Sequence, residues 1–105
     1  MTLQEATQSL EELSQKLPQK IKEHQQADTA YMLRFYELTL KSGMGTIVAK
    51  EAEANVICNE EGLLQPVQVL RADVKALYSQ KDLLIELSRN LRALEYGQEH
   101  TPESQ

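Results

Sequence analysis

The stretch Leu38-Thr39-Leu40-Lys41-Ser42-Gly43-Met44-Gly45-Thr46-Ile47 decides the fold, because it sets two permissive glycines between apolar helical patterns. Glycine tolerates backbone conformations that end a helix, and a threonine hydroxyl can accept from the first free amides of the next one. A helix is therefore expected to stop near Ser42, and another to begin at Thr46. The chain should reverse between them.

Upstream of this turn, Ile21, His24, Tyr31, Phe35 and Leu38 follow a helical pattern, and Tyr31-Met32-Leu33-Arg34-Phe35-Tyr36 is apolar on more than one face. This segment is the expected centre of the core. Farther back, Leu3, Ala6, Leu10, Leu13 and Leu17 recur at alternating steps of three and four, which lines one side of a helix. Thr2 and Glu5 match a capping box that would start it. Pro18 has no backbone donor and disfavours helical geometry at Leu17, so a break or sharp bend is expected there.

Downstream, Ile47, Ala54, Ile57 and Cys58 give a shorter acidic helix a modest apolar face, with Gly62 placed to terminate it. Pro66 reads as the first-turn proline of a last long helix whose face is Val67, Leu70, Val74, Leu77, Leu84, Leu87, Leu91 and Leu94. Tyr96-Gly97 should close it, leaving a polar tail over 98–105. The expectation is all-α: an antiparallel helical hairpin with coiled-coil character plus an N-terminal helix, forming a small bundle. The helices fall at about 3–17, 18–42, 46–61 and 66–96, within one domain over 1–97.

Composition agrees with this reading. The 105 residues are 41% hydrophobic and 26% charged, with few glycines and no tryptophan, which suits a folded helical chain. A net charge of -5 supplies no global attraction for nucleic acid. One cysteine cannot make an intrachain disulfide, and neither a signal-peptide pattern nor a membrane-length apolar run is visible. Cytoplasmic residence, without membrane association, is the expectation.

Catalysis needs groups that converge, and the two histidines, His24 and His100, have no motif around them. His24 lies on an apolar stripe and reads as structural. Cys58, beside Glu60 and Glu61, reads as a small apolar side chain rather than a thiolate. Glu51, Glu53, Glu60 and Glu61 read as a solvated helix face, with cation binding or mimicry of nucleic-acid phosphates as the functional counterpart. No catalytic residue, metal ligand or cofactor-binding residue is assigned, no cofactor is expected, and the chain is expected not to be an enzyme.

Leucine stripes, by contrast, mean core or interface. Leu10, Leu13, Tyr31, Phe35, Leu77, Leu84 and Leu91 are the candidate oligomer or partner surface, since thin helical rods leave apolar area to be covered by a second copy or a protein partner. A second candidate is the stripe Arg71, Lys75, Tyr78, Arg89 and Arg92 on the last helix, which could track a phosphate backbone with Tyr78 stacked on a base. Asp73, Asp82, Glu86 and Glu95 lie in the same helix, and intrahelical pairing is the ordinary alternative.

Leu17-Pro18, the turn before Thr46, the run Ala49-Lys50-Glu51-Ala52-Glu53 and the closing Leu91-Arg92-Ala93-Leu94 together resemble the small helical proteins of uncertain role encoded in bacteriophage and prophage early gene clusters. The resemblance implies action in a host cytoplasm, as an accessory in phage DNA metabolism or an inhibitor of a host defence enzyme, with 97–105 dispensable. It assigns no site residue. The reading is a non-enzymatic protein-binding adaptor or inhibitor. A single-stranded nucleic-acid accessory and a small export chaperone are the alternatives.

Overall fold

The first amides of the chain are satisfied by its own side chains: Glu5 N–H donates to Thr2 Oγ1 at 3.1 Å, and Thr2 N–H donates to Glu5 Oε1 at 3.1 Å. This reciprocal cap starts helix α1, Leu3–Lys41, in a computed structural model that describes residues 1–99. Helix α2, Ile47–Glu60, and helix α3, Leu64–Glu99, complete the order, and no strand occurs among the described residues. The all-α hairpin-like arrangement is as expected from the apolar periodicity.

Pro18 does not end α1. The helix continues through it, although the ring removes one donor from the ladder and would ordinarily cost about 3 kcal/mol. Packing on both sides offsets that penalty: Leu17 is buried together with Ala6 and Leu13, and the same face resumes in half-buried Ile21 and His24. Contacts divide the chain into two compact units, and Pro18 is the last residue of α1 to belong to the first.

The first unit joins Met1–Pro18 to the part of α3 from Lys75 onward. Leu13 and Lys16 lie beside Gln80 and Leu84, whereas Leu3 and Thr7 lie beside Glu95, so the two segments run antiparallel. Ala6, Leu13 and Leu17 are buried, with Leu10, Leu77, Leu84 and Leu91 half-buried. On α3 the buried position between Leu84 and Leu91 is taken by Ser88, at steps of four and three, while Leu94 faces outward. The expected core face therefore includes a hydroxyl and excludes its last leucine. Nor does Gly97 stop α3, which persists to Glu99; the rest of the expected tail and His100 lie outside the described residues.

The second unit comprises residues 19–74. Its centre is Ala54, Cys58 and Val67, all buried, with Tyr31, Phe35, Leu38 and Ile57 half-buried around them. Thr46 caps α2 by accepting from Ala49 N–H at 3.2 Å. In the turn before it, neither Gly43 nor Gly45 adopts a positive φ; Met44 N–H instead donates to Ser42 Oγ at 3.2 Å. The special conformation belongs to Gly62, with φ +75°. Gly62 N–H donates to the Asn59 carbonyl and Leu63 N–H to the Cys58 carbonyl, the paired bonds that close α2 and turn the chain into α3. Pro66, inside the first turn of α3, needs no intrahelical donor.

Candidate interaction surface

Three polar ties fix α2 and its C-cap Glu61 against the second half of α1 and Ser42 just after it. Tyr31 OH donates to Asn55 Oδ1 at 3.0 Å, and Ser42 Oγ donates to Glu53 Oε2 at 3.1 Å. The third is a fork: Arg34 Nε donates to Glu61 Oε2 at 2.9 Å while Nη2 donates to Oε1 at 2.6 Å. Two near-parallel bonds restrain both side chains more than a single contact would. The arginine holds the Glu61 carboxyl below its ordinary value, mainly through these hydrogen bonds, and Arg34 is raised in return. Two members of the acidic set, Glu53 and Glu61, are thus engaged within the fold, while Glu51 and Glu60 face outward.

Tyr31 and Phe35 stack with ring centroids 5.8 Å apart, and burial pushes the Tyr31 hydroxyl pKa up. Both rings also line an open, largely apolar groove of about 570 Å³ together with Met32, Tyr36, Leu40 and Ile47, and Thr39, Lys50 and Glu51 supply its polar and charged lining. On a helix that advances about 100° per residue, Met32, Leu33, Tyr36 and Leu40 share an arc of roughly 100°. All four are at least 60% exposed, and Ile47 of α2 is 64% exposed. This is an apolar face on the outside of a helix whose opposite side already packs inward.

The anticipated surface residues divide between these environments. Leu13 is buried inside the first unit, and Leu10, Leu77, Leu84 and Leu91 are half-buried there, whereas Tyr31 and Phe35 border the groove of the second. Met32, Leu33, Tyr36, Leu40 and Ile47 were not singled out as surface by the stripe pattern. The available signal was that residues 31–36 are apolar on more than one face, which one packed side cannot use up.

The basic candidates also divide. Arg71 belongs to the second unit, and Lys75, Tyr78, Arg89 and Arg92 to the first. All are exposed, and none of the four cations makes an ion pair among the described residues. Asp73, one of the expected intrahelical partners, instead lies 4.0 Å from Lys20 of α1. Asp82 remains on the same line as the cations and interrupts them.

Cys58 is fully buried and its thiol pKa is raised by desolvation, which disfavours the reactive thiolate. His24 is half-buried, with Nε2 shielded and without a hydrogen-bond partner among the described residues. Among the described residues no group of three or more histidine, cysteine, aspartate or glutamate side chains is arranged to hold a metal ion. None of their helices is long and apolar enough to cross a membrane. No family model, curated protein or solved structure matches the chain.

Proposed function

We propose that this chain is a non-enzymatic adaptor or inhibitor that binds protein through the exposed apolar face of α1. The observation supporting this reading is the Met32, Leu33, Tyr36 and Leu40 row with Ile47 beside it, a set of large apolar groups left in water by the fold. Contiguous apolar area of this kind marks association surfaces. The stacked Tyr31 and Phe35 rings and the Arg34–Glu61 fork give it a rigid backing, so little side-chain order remains to be lost on binding.

A second reading, single-stranded nucleic-acid binding, draws on the exposed and unpaired Lys75, Arg89 and Arg92 with Tyr78 on the same helix. The acidic chain and the intervening Asp82 weigh against it.

Affinity capture from a bacterial lysate, the source suggested by the phage-type resemblance, separates the two when performed with and without nuclease. A protein retained stoichiometrically after nuclease treatment, and lost with Leu40→Asp, supports the adaptor reading. Retention that vanishes with nuclease and with the Arg89→Glu, Arg92→Glu double variant would replace it by the second.

A further inference from the structure

We infer that Met32 is an oxidation switch on the α1 face: conversion of its thioether to the sulfoxide by a hydroperoxide weakens association there and leaves the fold intact. The inference rests on the association reading above and adds a means of regulating that surface.

The distribution of sulfur decides where an oxidant reacts. The chain has one cysteine and three methionines. Cys58 is fully buried and desolvation pushes its thiol pKa up, so little thiolate is available to attack a peroxide. The methionines are the reverse. Met1, Met32 and Met44 stand in water, with exposures of 64%, 60% and 47%. A thioether reacts without first losing a proton, and an oxidant in solution therefore meets the methionines while the fold shields the thiol.

Position then separates the three. Met32 lines the groove with Tyr31, Phe35, Tyr36 and Leu40. Met44 lies in the turn between α1 and α2, Met1 precedes α1, and neither lines the groove. Phe35 and Tyr36 follow Met32 at three and four residues, the spacings at which side chains on a helix are neighbours. Oxidation at Met32 alone changes the proposed surface.

The chemistry balances within one exchange. The Sδ lone pair attacks one oxygen of hydrogen peroxide, the S–O bond forms as the O–O bond breaks, and a proton shift releases water. Sulfur loses two electrons and the peroxide gains them. The product is polar and chiral where the thioether was flexible and apolar. In the free chain the new oxygen faces water, so the fold pays no penalty. A partner covering the row must strip that water away, and Leu33, Phe35 and Leu40 of the same surface hold no side-chain donor to replace it. The same exposure leaves the sulfoxide open to a methionine sulfoxide reductase, which restores the surface.

Peptide mass mapping of the full chain after graded hydrogen peroxide locates the added oxygen, and affinity capture from a bacterial lysate reads its effect. Met32 should gain oxygen while Cys58 keeps a free thiol, with helicity by circular dichroism and melting temperature unchanged. Capture of the nuclease-resistant protein should fall by about tenfold, the order expected for burying an unpaired polar oxygen. Met32→Leu should capture equally before and after peroxide, whereas Met44→Leu should lose capture as the wild type does. Oxidation of Cys58 ahead of Met32, unfolding on oxidation, undiminished capture by the oxidised wild type, or equal loss in Met32→Leu each overturns the inference. Untreated Leu40→Asp keeps the two readings apart. If it loses capture and the oxidised wild type does not, the switch fails and the surface stands. If it captures as well as the wild type, or neither captures anything, the surface reading fails and the switch with it.

Discussion

Ser88 and Glu61 show how single side chains contribute with opposite sign. Ser88 is 8% exposed, and its buried hydroxyl has no hydrogen-bond partner among the described residues. An unsatisfied buried polar group costs about 1–3 kcal/mol, so Ser88→Ala should raise the unfolding free energy by about 1 kcal/mol in urea titration; an unchanged or lower midpoint would contradict this. Glu61 acts the other way. Its folded pKa lies below the ordinary 4.5 because Arg34 favours the carboxylate, so the folded chain takes up this proton less readily than the unfolded one. The contribution is complete above pH 4.5 and disappears as pH falls through the lower folded value. Glu61→Gln should therefore flatten the acid side of the stability profile, measured as the urea midpoint at neutral pH and below pH 4.5.

At the scale of elements, the decisive test is the proline in α1. Pro18 is exposed and deprives the helix of one bond, so Pro18→Ala should stabilise the protein by about 2 kcal/mol, read as a higher melting temperature with the same helical content. Sequence alone pointed to a break or sharp bend there, and the break does not occur; a sequence weighs the local cost and cannot see Leu17 buried on one side of the proline and the apolar face resuming at Ile21. The caps were legible for the converse reason. Thr2 with Glu5, Thr46 with Ala49, and Gly62 after α2 depend on neighbours within a few residues, and local chemistry is what a sequence displays. The candidate surface was only half legible. Tyr31 and Phe35 fit the inward stripe, but the outward exposure of Met32, Tyr36 and Leu40 depends on where α2 packs, and that is fixed by Asn55, Glu53 and Glu61 across the turn.

For the whole molecule, few apolar residues of the described chain are buried: Ala6, Leu13, Leu17, Ala54, Cys58 and Val67, several of them small. Such a core supplies limited stability by itself, and a protein partner that covers the α1 face would add to it by mass action. The melting temperature should accordingly rise when the protein captured from lysate is added, and Leu40→Asp should remove that rise. A melting temperature unmoved by the captured protein would count against the α1 face as its binding surface.

The missing donor at Pro18 also shapes how the native helix opens. Fraying that starts at the Thr2 cap travels by breaking one ladder bond after another, and at Pro18 it meets a rung that was never formed, at the same residue where the first packing unit leaves α1. Amides before and after the proline are then governed by separate opening events. In hydrogen–deuterium exchange, residues 6–17 should form one protection class and residues 22–38 another, and closing the gap with alanine should draw the two classes together. The proline thus works as a firebreak, confining local melting of the amino-terminal turns to one side of a helix that is otherwise continuous.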